Sequence, residues 1–310
     1  MVHLPSPQQL RYLLALAEHL HFGRAAAACA VTQSTLSAGV LALEQLLDAE
    51  ILVRDGGKRV VFTALGEEMI ARAREAMAAL AAVAEAAAAA RAPMSGPLRL
   101  GVIPTISPFL LPRLMPRLRA AYPALRLYLR EDTTERLLDR LGGGGLDAVL
   151  LALPCDCAGS ETLPLARDPF LLALPPGHPL ARHARVPVAA LASERLLLLE
   201  DGHCLRDQAL AACGETGASH DAFAATSLHT LVQMVAGGLG VTLLPRLAVV
   251  GKVAAGAEIV LRELDGAGAW RTLGLAWRPR AARAEDFRAL APMISAACED
   301  GAIDAAGHAS

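Results

Sequence analysis

No run of about 18 or more apolar residues occurs in the 310-residue sequence, so no membrane-spanning helix is predicted. The apolar stretch at 81–90 is short, and Glu85 interrupts it. The N-terminal residues also lack the charged region, apolar region and cleavage site of a signal peptide. We therefore expect a cytoplasmic protein with no membrane partner.

The sequence has no large excess of either charge sign, and it contains few cysteines. The 29 Lys and Arg residues nearly balance the 31 Asp and Glu residues, so the net charge of -2 indicates no class of partner. The cysteines are too sparse for a disulfide scaffold in a chain of this length, and reduced thiols are expected. A cysteine pair with a function is then more readily redox-active or metal-binding than structural. The six cysteines stand at positions 29, 155, 157, 204, 213 and 298.

Hydrophobic residues make up 54% of the chain, which is enough for a sizeable core, although many are alanines that favour helix more than they fill space. The length predicts about two domains. Residues 8–91 carry apolar side chains at helical spacing, whereas short apolar strands alternate with helical stretches from residue 98 onward. This alternation predicts an α/β domain with a largely parallel sheet, long enough for two lobes.

The stretch "TQSTLSAGVLALEQLL" predicts a DNA-recognition helix. Thr32 is a plausible N-cap, and Leu36, Val40, Leu43 and Leu47 form one apolar face. The opposite face near the N-terminus is small and hydrogen-bonding, as needed to read base edges in a major groove. The following "RDGGKRVVFT" predicts a hairpin with basic residues available for phosphates. The residues predicted to contact DNA are Thr32, Gln33, Ser34, Thr35, Ser37, Arg54, Lys58 and Arg59.

A long helix follows the hairpin. Ile70, Met77 and Ala84 fall at one heptad position, and Ala73, Leu80 and Ala87 fall at another. This spacing suits pairing with the same helix of a second subunit, and packing on its own domain is the alternative. The chain is thus divided into a DNA-binding domain at 1–65, a linker helix at 66–95 and a two-lobed regulatory domain at 96–300. The small, polar residues after Ala297 predict a loose tail, which includes 301–310.

The first 65 residues resemble the winged helix-turn-helix of the LysR-type transcriptional regulators. Within that family the chain looks like the OxyR peroxide sensors, through "SGPLRLGVIPTISPFLLP", "LLLLEDGHCLRDQA", "ATSLHTLVQMVAGGLGVTLLP" and "RTLGLAWRP". The resemblance implies an α/β fold class with an all-α winged helix-turn-helix, a long linker helix and a two-lobed effector domain like periplasmic binding proteins. The residues that carry the family match are Phe22, Ala25, Ala26, Val31, Thr32, Gln33, Thr35, Leu36, Ser37, Leu43, Glu44, Leu47 and Thr63–Gly66.

Three features depart from the family pattern. Gly39 lies inside the recognition helix and should cost about 1 kcal/mol relative to alanine. Asp48 occupies a turn position where the family usually has glycine. Residues 1–60 contain as many acidic as basic residues, so weak non-specific DNA binding is expected.

Cys204 and Cys213, in "GHCLRDQALAAC", have a spacing that couples oxidation to refolding. In a helix, nine residues span about 13.5 Å. A disulfide needs Cα atoms within about 7 Å, so the pair can close only if the helix unwinds or its end peels away. Such a pair converts a chemical event into a change of shape. The alternative is that both cysteines are buried, unreactive packing residues.

Cys204 is the better candidate for the thiol that attacks peroxide, because a helix N-terminus, His203 and Arg206 favour the thiolate. A sulfenic acid would form on Cys204, and Cys213 would resolve it to a disulfide. Threonine at a helix start is more often only a cap, and an isolated arginine is more often a surface charge or ion pair. The OxyR resemblance implies a peroxide pocket formed around Cys204 by Thr105, Thr134, His203, Asp207 and Arg271.

The other cysteines have no role in the resemblance. Cys155 and Cys157 are spaced so that they could coordinate a soft metal or form an additional redox pair. Two ligands are too few for a structural zinc site. We interpret them as incidental, and Cys29 and Cys298 as packing and tail residues. The histidines show no metal-ligand spacing such as H-E-x-x-H, so no metal or cofactor is predicted.

The leading hypothesis is a transcription regulator, not an enzyme, that senses hydrogen peroxide. The resemblance implies a dimer of dimers on promoter double-stranded DNA, recruitment of RNA polymerase, and resetting by glutaredoxin- or thioredoxin-type reductants. A regulator of the same family that binds a small anionic effector between the lobes is the main alternative. A thiol peroxidase would leave the helix-turn-helix unexplained, and a periplasmic solute-binding protein would need a signal peptide.

Overall fold

The computed structural model describes residues 4–53, 60–89, 93–157, 159–213, 224–266 and 268–300, with the backbone alone at 82, 84–86, 88 and 89. The chain divides into two compact units. The first holds the residues up to Ala87 together with Gly142–Gly145, and the second holds the rest. No single helix in the described ranges is long and apolar enough to cross a membrane, and only the bent pair Phe22–Ala28 and Gln33–Leu47 meets that test in combination.

The first unit is helical. Its elements are α1 (Pro7–His19), α2 (Phe22–Ala28), α3 (Gln33–Leu47) and α4 (Ala64–Ala89), and a bridge between Leu52 and Phe62 precedes α4. The helices α2 and α3 meet at 99°, within the range of a helix-turn-helix. The hydroxyl of Thr32 accepts a hydrogen bond from the Thr35 amide, which confirms the predicted N-cap.

The predicted apolar face of α3 forms the centre of this unit. Leu36, Val40 and Leu43 are buried, and Leu47 is half-buried. They pack with the buried face of α1, which includes Tyr12 and Leu16. Burial of one helical stripe leaves the polar N-terminal face of α3 in solvent, as predicted. Asp48 ends the helix in the left-handed conformation (φ 48°), which asparagine and aspartate tolerate better than most residues.

Gly39 is explained by the packing of α1 on α3. A Cβ at this position would lie 2.5 Å from Cδ2 of the Tyr12 ring. The ring is buried, and the Gln8 amide donates a 2.6 Å hydrogen bond to its hydroxyl, so it cannot move aside freely. The glycine costs helix propensity but permits close contact between the two helices.

Substitution of Gly39 by alanine should therefore destabilise the protein, although helix propensity alone predicts a gain. We expect the first unit to lose about 1–3 kcal/mol of unfolding free energy through overpacking. Urea denaturation followed by far-UV circular dichroism measures this loss. The control Ala38→Gly, at an exposed position, should cost only about 1 kcal/mol. A Gly39→Ala protein more stable than wild type would contradict the packing explanation.

Helix α4 packs on its own unit at its start. Ile70 and Ala73 are buried against Leu13, Leu43 and Ile51. Further along the helix Leu80 and Val83 are exposed. Packing on its own domain therefore accounts for the first turns, and pairing of the later turns with a second subunit stays a prediction.

The second unit is built on a mixed sheet. The strand order is β2-β1-β3-β10-β4-β9-β5, and β8 also pairs with β4. The elements in chain order are β1 (Gly96–Val102), α5 (Ser107–Ala121), β2 (Leu125–Glu131), α6 (Thr134–Gly142), β3 (Ala148–Leu153), β4 (Glu161–Leu174), β5 (Arg185–Pro187), β6 (Leu198–Leu199), α7 (Cys204–Cys213), β7 (Ala224–Ala225), α8 (Leu228–Ala236), β8 (Thr242–Pro245), α9 (Arg246–Val250), β9 (Val260–Asp265), β10 (Trp270–Trp277) and α10 (Ala284–Glu299).

The prediction of a largely parallel sheet is wrong. Strands β1, β2 and β3 are parallel, but β10 runs antiparallel to both β3 and β4, and β4 runs antiparallel to β8 and β9. The local βαβ rhythm predicts only strands that are close in sequence. Strand β10 comes from far along the chain and inserts between β3 and β4, so that rhythm does not constrain its direction.

Strand β4 joins the two lobes. Its first part, Glu161–Pro169, pairs with β10, and its second part, Phe170–Leu174, pairs with β8 and β9. One continuous strand of 14 residues thus belongs to both halves of the sheet. Side chains near its middle lie where the two lobes meet.

The prediction of a loose tail after Ala297 is wrong for 298–300. Helix α10 continues to Glu299, and Cys298 is buried. The Asp300 carboxylate pairs with Arg117, and its carbonyl accepts a hydrogen bond from Arg113. These contacts anchor the end of the helix to α5. Residues 301–310 lie outside the described residues.

Candidate redox site

Cys204 and Cys213 are the first and last residues of α7. Neither cysteine is in a disulfide, Cys204 is half-buried and Cys213 is buried. The predicted helix between them is therefore present, and it holds the two Cα atoms about 13.5 Å apart. A Cys204–Cys213 disulfide cannot form in this conformation.

Cys204 is contacted by a hydroxyl from another element. Thr134 Oγ1 lies 2.7 Å from Cys204 Sγ. Thr134 is the first residue of α6, so the first residues of two helices meet at one sulfur atom. Helix N-termini carry partial positive charge, and a hydroxyl can donate to an anion, so this arrangement stabilises negative charge on the sulfur.

His203, Arg206 and Asp207, which are close to Cys204 in sequence, do not make the contacts that were predicted for them among the described residues. The Arg206 guanidinium pairs with Asp201 (3.0 Å) and donates to the Leu199 carbonyl (3.1 Å). Arg206 thus fastens the turn before α7, and the prediction that it supports the thiolate is not reflected in its hydrogen bonds. His203 is half-buried and Asp207 is exposed. Within the described residues, neither side chain makes a hydrogen bond to Cys204.

Arg271 and Thr105 form a second group. Arg271 is 1% exposed, and it donates from Nη1 to Thr105 Oγ1 (2.8 Å) and from Nη2 to the Thr105 carbonyl (3.0 Å). Its Nε pairs with Asp168 at 2.9 Å, and Asp168 also accepts from the Leu247 amide. The alternative of a surface arginine is wrong, and that of an ion pair is confirmed. Thr105 and Arg271 thus contact each other in a buried network, and their place in a pocket around Cys204 stays a prediction.

Asp168 is a residue that sequence reasoning missed. It is 4% exposed and lies in β4, where the chain passes between the lobes. A signal was present, because an acid that directly precedes the apolar run "PFLLAL" needs a buried partner. The local sequence pattern does not identify that partner, because Arg271 lies 103 positions away in the chain.

Two thiols near these groups are unreactive by environment. Burial raises the pKa of Cys213. Burial, with a smaller contribution from Asp168, raises the pKa of Cys298 to about 12. Both therefore stay protonated at neutral pH, and the thiolate is the nucleophilic form. Cys298 is a buried packing residue rather than the tail residue that we predicted. Cys213 cannot act as a nucleophile until it leaves its buried position.

Gln208 lies one turn after Cys204 on α7, and its side-chain amide is buried. Neither Nε2 nor Oε1 has a hydrogen-bond partner in the described part of the chain. An unsatisfied buried amide costs about 1–3 kcal/mol. The helix that separates the two cysteines therefore carries a local destabilising group.

Replacing Gln208 with methionine, which has a similar shape, should stabilise the reduced protein by about 1–3 kcal/mol. Urea denaturation of the fully reduced protein measures this gain. The control Gln233→Met alters an exposed glutamine of α8 and should change the stability by less than about 0.5 kcal/mol. Equal effects of the two substitutions would show that the amide of Gln208 carries no penalty.

The expectation that all cysteines are reduced is wrong for Cys155 and Cys157, which form a disulfide. The chain bends at Asp156 and brings the two Cα atoms to 5.2 Å. This distance lies within the range that a disulfide requires. The described residues contain no cluster of three or more His, Cys, Asp or Glu side chains that could hold a metal ion.

Five of the eight residues that are predicted to contact DNA lie in the described part of the chain. Thr32, Gln33, Ser34, Thr35 and Ser37 are exposed on the N-terminal turn of α3. Arg54, Lys58 and Arg59 lie outside the described residues. A polar, solvent-facing start of the second helix of a helix-turn-helix is the surface that such motifs place in a major groove.

Two family models match the chain over most of its length. Residues 7–67 match the bacterial regulatory helix-turn-helix of the lysR family, and residues 91–299 match the LysR substrate binding domain. The chain belongs to the LysR family. LysR-type proteins are DNA-binding transcriptional regulators rather than enzymes, so the helix-turn-helix of the first unit is its DNA-binding element.

Relatives within this family are OxyR proteins. A probable hydrogen peroxide-inducible genes activator of Streptomyces viridosporus is 43% identical over 298 residues, which cover 96% of this chain and 95% of the relative. A full-length OxyR variant from Pseudomonas aeruginosa is 37% identical, with a TM-score of 0.75 and coverage of 94% and 98%. A hydrogen peroxide-bound OxyR variant from Corynebacterium glutamicum is 31% identical, with a TM-score of 0.65 and coverage of 96% and 94%.

Proposed function

We propose that this LysR-type regulator senses hydrogen peroxide through Cys204 and Cys213 and transmits the oxidation of that pair to its DNA-binding unit. The contact between Thr134 Oγ1 and Cys204 Sγ, 2.7 Å, is the observation that carries the proposal. It distinguishes Cys204 from the buried Cys213, which sits at the other end of the same helix. The names of the relatives, which include a peroxide-inducible activator and a peroxide-bound OxyR, support the same substrate.

The first step is attack of the Cys204 thiolate on one oxygen of peroxide. The O–O bond breaks, sulfenic acid forms on Cys204, and hydroxide leaves and takes a proton to become water. The Thr134 hydroxyl can donate to the sulfur anion before attack. Thr105, His203, Asp207 and Arg271 are proposed to complete the pocket that protonates the leaving oxygen. In the present conformation Arg271 donates a hydrogen bond to Thr105. Protonation of the leaving oxygen by these two residues therefore requires a rearrangement around Cys204.

The second step joins the two ends of α7. Cys213 must leave its buried position and attack the sulfenic sulfur, which releases a second water and leaves a disulfide. Since a disulfide holds its Cα atoms within about 7 Å, α7 must lose helical structure during this step. The buried Gln208 amide, which has no hydrogen-bond partner among the described residues, lowers the free energy needed for that loss. The proposed switch is thus an oxidation that replaces a helix by a shorter connection.

The proposal also includes the partners that the resemblance to OxyR proteins implies. The protein acts in the cytoplasm on promoter double-stranded DNA, as a dimer of dimers. The oxidised form changes its DNA contacts and helps to recruit RNA polymerase as an activator. A glutaredoxin- or thioredoxin-type reductant returns the disulfide to two thiols. The exposed Leu80 and Val83 of α4 support pairing between subunits, since two large apolar side chains otherwise face water.

A second candidate is a regulator that binds a small anion. A cavity of about 920 Å³ in the second unit is lined by Arg182, Arg185, Arg246 and Arg262. Part of this charge is already used, because Arg185 pairs with Glu263 and Arg262 donates to backbone carbonyls. The observation favours an anionic effector less strongly than the contact at Cys204 favours peroxide.

Transcript profiling of cells carrying the wild-type protein or Cys204→Ser, before and after micromolar peroxide, tests the proposal. The wild type should change expression of its target genes within minutes, and the variant should not respond. A variant that still responds would favour the anionic effector. A thiol peroxidase would instead consume many peroxide molecules per subunit in each reset cycle, which a peroxide electrode measures with purified protein.

A further inference from the structure

The Cys155–Cys157 disulfide lies outside the proposed Cys204 chemistry. It follows β3 directly, and both residues are half-buried. The Cα atoms are 5.2 Å apart, whereas a fully extended chain would hold residues two apart at about 6.6 Å. The bend at Asp156 thus turns two side chains of one short segment toward each other, while Cys204 and Cys213 form no disulfide in the same structure.

A cavity gives this pair access from solvent. The cavity has a volume of about 620 Å³, and Cys155, Asp156 and Cys157 form part of its lining. Ser160, Thr162 and Thr272 line it as well. Asp156 is the one charged side chain among the described lining residues. The lining thus combines hydroxyl-bearing residues and one acidic residue with the apolar Leu153, Pro154 and Pro164.

We propose that Cys155 and Cys157 form a second thiol–disulfide couple, which exchanges with small disulfides that carry no net negative charge and works independently of Cys204 and Cys213. The thiolate of one cysteine attacks the small disulfide, breaks its S–S bond and releases one small thiolate. The second cysteine attacks the resulting mixed disulfide and releases the other. The two protons of the protein thiols end on two small thiols, so one small disulfide is reduced for each protein disulfide formed.

Three features support exchange with a small disulfide. The cavity admits a small molecule, whereas a folded reductant would have to reach half-buried sulfur atoms. Closure joins residues two apart, so it needs no helix to unwind, in contrast to Cys204 and Cys213. The Asp156 carboxylate repels anions and attracts cations, which sets the charge of the preferred partner.

The full-length double variant Cys204→Ser/Cys213→Ser provides the test. The protein is fully reduced, incubated with cystamine, which is cationic, or with oxidised glutathione, which is anionic, and then alkylated and digested with trypsin. Cys155 and Cys157 share the peptide 141–167 and no other cysteine lies in it, so its mass reports the couple alone. We expect this peptide to lose two hydrogens and to resist alkylation, several-fold faster with cystamine than with oxidised glutathione.

Two further variants sharpen the result. Cys157→Ser should stop at a mixed disulfide on Cys155, and Asp156→Asn should reduce the preference for cystamine. Far-UV circular dichroism should not change as the pair oxidises, because no helix is involved. The proposal is overturned if the peptide keeps two alkylated thiols, if it carries two mixed disulfides without closing, or if oxidation requires Cys204 and Cys213.

Discussion

Replacing Arg271 with methionine should lower the unfolding free energy of the second unit by about 3–5 kcal/mol. Methionine fills similar space but leaves the Asp168 carboxylate buried without its counter-ion. It also removes the donors to the side chain and carbonyl of Thr105. Both tryptophans of the protein, Trp270 and Trp277, lie in the same strand as Arg271, so their fluorescence during urea denaturation reports this unit directly.

A second substitution separates the buried charge from the lost packing. In Arg271→Met/Asp168→Asn the uncompensated carboxylate is absent, and the amide oxygen can still accept from the Leu247 amide. The double variant should recover a large part of the lost stability, because the cost of breaking a buried pair lies mainly in the remaining charge. A single variant within 1 kcal/mol of wild type would contradict the assigned role of the ion pair.

Replacing Thr134 with valine should slow the reaction of Cys204 with peroxide by about ten- to a hundredfold. A hydrogen bond to a charged group contributes about 1.5–3 kcal/mol, and each 1.4 kcal/mol corresponds to a factor of ten in rate. Valine keeps the branched shape but cannot donate to the sulfur. Rapid mixing of reduced protein with excess peroxide, followed by trapping of the sulfenic acid, gives the rate constant.

Two controls distinguish donation to the sulfur from helix capping. Thr134→Ser retains the hydroxyl, so its rate constant should lie within about threefold of the wild-type value. This change is much smaller than the one expected from losing the hydrogen bond. Thr133→Val changes the preceding threonine at the start of the same helix and should leave the rate unchanged if capping is not involved. A Thr134→Val protein that reacts at the wild-type rate would show that the 2.7 Å contact has no part in the chemistry.

Local pattern was enough to predict much of the site. The helix from Cys204 to Cys213, the N-cap at Thr32 and the position of Thr134 at a helix start each follow from residues close in sequence. The exposed polar start of α3 follows from helical periodicity for the same reason. In each case the physical cause acts within a few residues, and the sequence displays it directly.

The features that sequence missed depend on contacts between distant segments. Asp168 meets Arg271 across 103 positions, and β10 enters the sheet between two strands whose paired residues lie more than 100 positions earlier in the chain. Gly39 is unfavourable by helix propensity alone, and only its contact with the Tyr12 ring explains why a larger residue does not fit there. Asp300 belongs to the folded unit only because Arg113 and Arg117 contact it. Composition around such residues indicates that a partner is needed and does not identify it.

Peptide mass spectrometry of the reduced protein after about one equivalent of hydrogen peroxide tests the central claim most directly, with Cys204→Ser and Cys213→Ser beside the wild type. Trypsin places Cys204 in 196–206 and Cys213 in 207–246, so a disulfide between them links two peptides. The wild type should yield this linked pair, and Cys213→Ser should stop at a trappable sulfenic acid on Cys204. If Cys204 remains a thiol while another cysteine is oxidised, Cys204 is not the peroxide sensor.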